Sequence, residues 1–246
     1  MSEYKFKTEM HCHTKYVSKF CATVDAKSIV EQYLEFGYTT VVITDHLSER
    51  IFNHPDAKEL SPVDRMKYYV NGWKQVRDYA GDRLNVLLGA EICFPQNASD
   101  YLIYGPDEDF FINNPDMHMH DRFWTGGLVR NNGCLLIQAH PFRHGCAVTE
   151  ENVIDGIEVY NGHPNQKNHN CISREWAKLY PNYILTSGSD HHDEPAYPDA
   201  GILTKEPVTN NRQLVEILKS GDYELICDEE TRAKGLEALK EWWKNS

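Results

Sequence analysis

The chain has 246 residues, 41% hydrophobic and 25% charged, which suits one α/β domain with a full core. Its net charge of −12 argues against a large nucleic-acid duplex as partner, since such a surface needs a basic patch; bound cations would still admit phosphate locally. The start, Met-Ser-Glu-Tyr-Lys-Phe-Lys, has no apolar signal core, no run reaches membrane-spanning length, and seven scattered cysteines without a CxxC suit free thiols. A cytoplasmic chain with no membrane partner is therefore expected.

The first apolar run, Phe6 to Met10, reads as a strand and ends at His11-Cys12-His13. Asp25 can cap a helix from Ala26 to Phe36, with Ile29, Val30, Tyr33 and Leu34 on its apolar face and Gly37 as its stop. A strand from Thr39 to Thr44 leads into Asp45-His46. Ser61-Pro62 opens a second helix with a stripe of Val63, Met66, Val70, Trp73 and Val76, ended by Gly81. The strand Asn85 to Leu88 then runs through Gly89-Ala90 to Glu91.

The segment from Phe94 to His120 is less regular. It holds a strand from Tyr101 to Tyr104 and then a Pro/Asp/Asn-rich loop of the kind that often shapes a pocket. Further strands are expected at Cys134 to Gln138 (before His140), Gly156 to Tyr160, Tyr183 to Ser187 (before Ser189-Asp190-His191-His192) and Gly201 to Leu203. A helix falls around Cys171 to Leu179. The end reads as helix Arg212 to Ser220, strand Tyr223 to Cys227 and helix Thr231 to Trp243, with Trp242-Trp243 as helix packing. This βα alternation predicts a largely parallel sheet.

Five of these strands end on metal-ligand side chains. His11 and His13 are two apart and face one side of a strand end, so they can hold one cation, although an isolated HxH is common. Asp45-His46 alone is also an ordinary strand-to-loop junction. A carboxylate at Glu91, closing an apolar run, is costly unless paired or metal-bound, and its two oxygens can bridge two cations. His140 stands at a sharp exit before Pro141. Arg143 carries a planar fork that suits a phosphate. Asp190 and His192 are again two apart, with His191 pointing elsewhere. Asn161 or His163, after the strand ending near Tyr160, faces the same rim as a possible substrate contact, or is a plain turn. Ligand types at the carboxyl ends of successive buried strands describe a metal site at the top of an α/β barrel.

Taken together, His11-Cys12-His13-Thr14, Ile43-Thr44-Asp45-His46, Gly89-Ala90-Glu91, Ala139-His140-Pro141 and Ser189-Asp190-His191-His192 resemble the PHP (polymerase and histidinol phosphatase) family, in order, over residues 8–193. The resemblance implies one domain over 1–246, a distorted (β/α)7 TIM-like barrel, with the C-terminal helix-strand-helix at 211–244 completing it. It implies two or three divalent ions (zinc, manganese or iron), held by His11, His13, His46, Glu91, His140, Asp190 and His192. Glu91 would bridge, Asp190 would lie between metals, and Asp45 would orient a ligand or the nucleophilic water. The implied activity is hydrolysis of small-molecule phosphate esters by a metal-bridging hydroxide, with Glu91, Asp190 and Asp45 as the catalytic set. The alternatives are a C–N bond metallohydrolase of amidohydrolase type and a non-catalytic metal-binding module.

Two family positions differ. After the first HxH, where a His or Asp is usual, Lys15 to Cys21 offers only Cys21 as a ligand type, so Lys15 or Lys19 would supply positive charge towards substrate. On the strand after Glu91, Tyr101 to Pro106 has no histidine, leaving His118 or His120 as substitutes from the loop. The oligomeric state is not legible.

Overall fold

The computed structural model describes residues 3–149, 151–196 and 199–227. The expected helix at Thr231 to Trp243 lies outside them. The chain runs β1 (Phe6–Cys12), α1 (Ala26–Glu35), β2 (Tyr38–Ile43), β3 (His46–Leu47), α2 (Glu49–Phe52), α3 (Pro62–Ala80), β4 (Asn85–Leu88), β5 (Ala90–Cys93) and β6 (Asp100–Tyr104). It continues through α4 (Glu108–Ile112), α5 (Arg122–Asn131), β7 (Leu135–Gln138), β8 (Gly156–Asn161), α6 (Asn170–Ala177), β9 (Ile184–Gly188), β10 (Ala200–Thr204), α7 (Asn211–Ser220) and β11 (Glu224–Cys227).

The caps act as the sequence predicts. Asp25 accepts from Ser28 N at the start of α1, and Ser61 accepts from Asp64 N at the start of α3. The α3 stripe buries Met66, Val70 and Val76, with Tyr69 and Ala80 added; Val63, in the solvated first turn, is exposed. Helix α5 falls just after the segment read as irregular, where no element was expected; Gly126-Gly127 interrupts its apolar pattern.

The result is a mixed α/β fold with two sheets, ordered β11-β10-β1-β2-β4 and β3-β5-β6-β7-β8-β9. The strands β1, β2 and β4 are parallel, as are β7, β8 and β9. The expectation of a largely parallel sheet fails at β6, antiparallel to both neighbours, and at β10, antiparallel to β1 and β11. Strand pairing among the described residues does not close the sheets into the expected (β/α)7 barrel.

Two seams connect the sheets instead. At one, the β2–β3 and β4–β5 lines break at Thr44-Asp45 and Gly89, and Glu91 N donates to Asp45 O at 3.1 Å. The Tyr69 hydroxyl reaches across from α3 and donates to Asp45 O and Gly89 O, satisfying carbonyls that the break frees. At the other, Cys12 bridges His191, with His13 N donating to His191 O and His191 N to His11 O. Apolar side chains fill the space beneath, including Met10, Val42, Leu102 and Ile137.

Gly72 is where α3 comes closest to the first seam. A Cβ there would stand 2.4 Å from Asp45 Oδ2 and 2.8 Å from Thr14 Oγ1. Gly127 on α5 has nothing within 4 Å of the same position. Gly72→Ala is therefore expected to destabilise by about 1–3 kcal/mol through overpacking. Gly127→Ala should be neutral or stabilising by up to about 1 kcal/mol. Urea denaturation of both variants checks the pair, and equal effects would contradict the close approach.

Candidate metal centre

All five strand-end clusters converge on one buried group. His11 and His13 come from the end of β1, His46 from β3, Glu91 from β5, His140 from just after β7, and Asp190 and His192 from just after β9. His11 and His13 are fully buried, and Glu91, His140 and Asp190 nearly so.

Glu91 lies at the centre. Its Oε1 is 3.0 Å from His140 Nε2 and 3.3 Å from His11 Nε2; its Oε2 is 2.9 Å from His46 Nδ1 and 3.4 Å from His13 Nε2. Asp190 Oδ1 faces His11 Nε2 at 3.3 Å and His13 Nε2 at 3.2 Å. His192 Nε2 and His46 Nε2 face each other at 3.5 Å. Three sets of ligand atoms result, each within 4.8 Å of one another: His11, His13, Glu91 and Asp190; Glu91, Asp100 and His140; and His13, His46 and His192.

The electrostatics suit cations. Burial works against charge on Glu91, but His11 and His46 outweigh it and hold the carboxyl well below its ordinary range. Asp190 is likewise held low against burial by His11, Arg143 and His192. Burial also opposes the imidazolium of His140, yet Cys146 and Glu91 outweigh it and push His140 up to about 9. His13 is instead pushed well below its usual value by burial and by His192 and His46, leaving a neutral imidazole ready to ligate. Buried and without a hydrogen-bond partner are His11 Nε2, His13 Nε2, Glu91 Oε2 and Asp190 Oδ1. Orphaned acceptors and imidazole nitrogens converging on one space are what divalent ions would satisfy, so the donor set fits them.

A carboxylate shell holds the ligands. Glu158, buried on β8, accepts from His140 N and Asn161 Nδ2, and its Oε1 is 3.0 Å from His11 Nδ1, which turns His11 Nε2 inward. Glu9, buried on β1, accepts from Met10 N, His11 N and Ser189 N, tying β1 to the β9 junction; burial raises it to about 7. Asp45 accepts from Thr14 N, Thr14 Oγ1 and Ser18 Oγ. Ser18 Oγ accepts from His46 N and lies 3.4 Å from His13 Nδ1, so Asp45 reaches both residues through Ser18 and belongs to none of the three sets.

Two ligands have left-handed backbones, His140 at φ 28° and Asp190 at φ 55°. Each costs a non-glycine residue about 1–3 kcal/mol, a strain typical of functional positions.

Arg143 donates to Asp190 Oδ2 at 2.6 Å, to Asn168 Oδ1 and to Asn161 Oδ1. Asn161 is fully buried and its amide is wholly engaged, so it is a hub of this network with no surface left for substrate. His163 is half-buried, with its ring 5.3 Å from His192. Lys15 and Lys19 are turned away, paired with Asp25 and Asp56. His118 is buried against Phe52 and lowered to about 4 by burial, and His120 stacks on Trp124; the structure brings neither to the cluster.

On the strand after Glu91, the side chain of ligand type that reaches the cluster is Asp100. Because β6 is antiparallel, its first residue reaches the metal rim, while Tyr104 to Pro106 point to the opposite end. Its Oδ2 is 3.8 Å from His140 Nε2, and burial, then Glu91, raise its carboxyl above the ordinary range. Beside it a cleft of about 320 Å³ opens to solvent, lined by Phe20, His46, Arg50, Phe94 and Asp100 among others.

No family model and no curated protein matches the chain. Solved structures do. A two-domain protein of Bacteroides vulgatus containing a predicted PHP-like metal-dependent phosphoesterase aligns with a TM-score of 0.65 at 15% identity, over 92% of this chain and 66% of that one. PsfC of Pseudomonas syringae aligns at 0.64 and 13% identity, over 98% of both chains. An amidohydrolase of Chromobacterium violaceum, solved with sulfate and no metal, aligns at 0.51 and 13% identity, over 91% of this chain and 99% of that one. The chain thus shares the fold of PHP-like proteins, and it spans just under two thirds of the first of these. No described helix is long and apolar enough to cross a membrane.

Asp100→Ala should lower the metal content of purified protein by one ion per chain, while His118→Ala and His120→Ala lower it by none; elemental analysis checks all three. Glu158→Gln keeps the shape but removes the charge behind His11, and should weaken metal affinity about 10- to 100-fold. Competition against a chelator measures this, and an unchanged affinity would remove Glu158 from the orienting role.

Proposed function

We propose that the protein is a metal-dependent hydrolase of phosphate esters. The observation that carries this reading is Glu91, whose two oxygens face two different pairs of imidazoles, His11 with His140 and His13 with His46. Glu91 also belongs to two of the three ligand sets, so it would bridge two cations, the first with His11, His13 and Asp190, the second with His140 and Asp100. Bound zinc, manganese or iron would supply a water of lowered pKa and positive charge for phosphoryl oxygens.

The chain's own residues do the rest. Arg143, one-fifth exposed and already committed to Asp190 Oδ2, keeps guanidinium edge at the rim for a phosphoryl oxygen. It also fixes Asp190 so that Oδ1 stays aimed at the ligand space. His163, neutral because burial lowers it to about 4, stands beside His192 at the same rim and adds no charge there. The cleft between Phe20, Arg50 and Phe94 would take the organic part of the ester.

A protein containing a predicted phosphoesterase and an amidohydrolase share this fold, which supports a hydrolase. The amidohydrolase also keeps C–N bond hydrolysis as the second reading. Turnover by metal-loaded protein on a panel of phosphate monoesters, with none on amides, is the expected result; the converse would establish the second reading. Within the active assay, Glu91→Gln should lower turnover at least about 100-fold with the far-ultraviolet circular dichroism unchanged, and full activity would end the bridging role.

A further inference from the structure

The cleft beside the metal centre carries a charge that the chain itself leaves unused. Arg50 stands in its wall, on α2, just beyond the end of β3 that carries His46. The next two residues, Ile51 and Phe52, are buried and anchor α2, while Arg50 is exposed. Its guanidinium lies over the ring of Phe20 at 3.8 Å, and that ring stacks on His46 at 5.2 Å. A run of stacked groups therefore leads from Arg50 to the edge of the metal centre.

Stacking uses only the face of a guanidinium; its five N–H donors lie in the plane and stay available. Arg65, Arg77, Arg83, Arg130, Arg143 and Arg212 each donate to a carbonyl or carboxylate. Arg50 has no hydrogen bond or ion pair among the described residues. Glu49, beside it in the same wall, does not pair with it. Lys15 and Lys19 are spent on Asp25 and Asp56. In a chain of net charge −12, an arginine held on an aromatic ring and left without an acid is a ready partner for an external anion, which its planar fork can grip with two parallel bonds. The rest of the wall suits a short apolar connection, since Phe20, Phe94 and Pro95 line it and about 320 Å³ takes only a small organic group.

We propose that Arg50 determines specificity by binding a second anionic group, a carboxylate or a phosphate, at the far end of the organic part of the ester. The favoured substrates are then small phosphate monoesters of anionic alcohols. The scissile phosphoryl group sits at the metal centre with Arg143, and the distal anion sits at Arg50. This assignment rests on the phosphate-ester reading above and adds to it the class of alcohol. Arg50 touches no reacting atom, so its contribution falls on KM more than on kcat. Glu49 opposes the distal anion from the same wall, but an exposed carboxylate is screened by water and salt.

Steady-state kinetics of the metal-loaded full chain on three esters of one chain length test it. They are 3-hydroxypropyl phosphate, the phosphate ester of 3-hydroxypropionate, and 1,3-propanediol bisphosphate, which differ only at the end away from the scissile group. Wild-type kcat/KM should be at least about 10-fold higher for one or both anionic esters than for the neutral one, the scale of a hydrogen bond to a charged group. The bisphosphate value is halved first for its two equivalent ends, and the better of the two anionic esters identifies the anion. Arg50→Gln should bring the ratio close to one by raising KM for the anionic esters, and Arg50→Lys should restore part of it. Equal efficiency on all three esters in wild-type protein, or a preference that survives in Arg50→Gln, overturns the role of Arg50 and leaves the phosphate-ester reading standing. No turnover of any ester removes both.

Discussion

One buried carboxylate, Glu91, sets the terms for this structure. A lone ion of its size taken out of water costs several kcal/mol even after relaxation, and more in a dry interior. Glu91 is almost wholly buried, yet its charge is favoured because four imidazoles face its two oxygens. The compensation is mutual. Protons on His11 and His140 hold the place that cations would take, so metal binding and deprotonation are linked, and affinity rises with pH as those protons are given up.

The geometry needed for this arrangement comes from breaks in the sheets. A regular strand alternates its side chains and cannot point neighbouring residues into one space. At the Asp45–Gly89 seam the ladder is interrupted, so His46 and Glu91 turn inward while Tyr69 satisfies the released carbonyls. At the Cys12–His191 seam the backbone of β9 comes so close that Gly188 has no room for a Cβ, which would lie 2.4 Å from the Cβ of His11 and 2.8 Å from Glu158 Oε1. The left-handed turns at His140 and Asp190 complete the convergence. Their strain is carried by the well-buried strands on either side, so the ligands are held in place before any ion arrives.

The sequence was most informative where chemistry and periodicity coincided. His11, His13, His46, Glu91, His140, Asp190 and His192 each follow an apolar run, and all seven meet in the fold. What it hid was strand direction. An apolar run looks the same read either way, so the empty stretch at Tyr101 to Pro106 looked like a missing ligand. The antiparallel course of β6 puts the donor at the other end, at Asp100. Glu158 was missed for a related reason: it lies within its strand rather than after it. The signal was present, since a carboxylate between Ile157 and Val159 is costly unless paired. Lys15, Lys19, His118 and His120 had suitable chemistry, but salt bridges and aromatic packing claim them elsewhere.

Position in the fold also separates what governs the chemistry from what governs the substrate. The candidate ligands at the strand ends and their carboxylate supports, Glu9 and Glu158 within strands and Asp45 just after one, are buried from solvent and locked by hydrogen bonds. Changing one disturbs its neighbours, because each carboxylate serves more than one partner. The walls of the adjoining cleft are different. Phe20 is over one-third exposed, and Arg50 stacks on its ring at 3.8 Å without entering the buried network. Such residues can change with little cost to stability, so the rim can vary while the buried cluster stays fixed. That division follows from burial: where an unpaired charge is expensive the arrangement is constrained, and where water can reach it the sequence is free to vary.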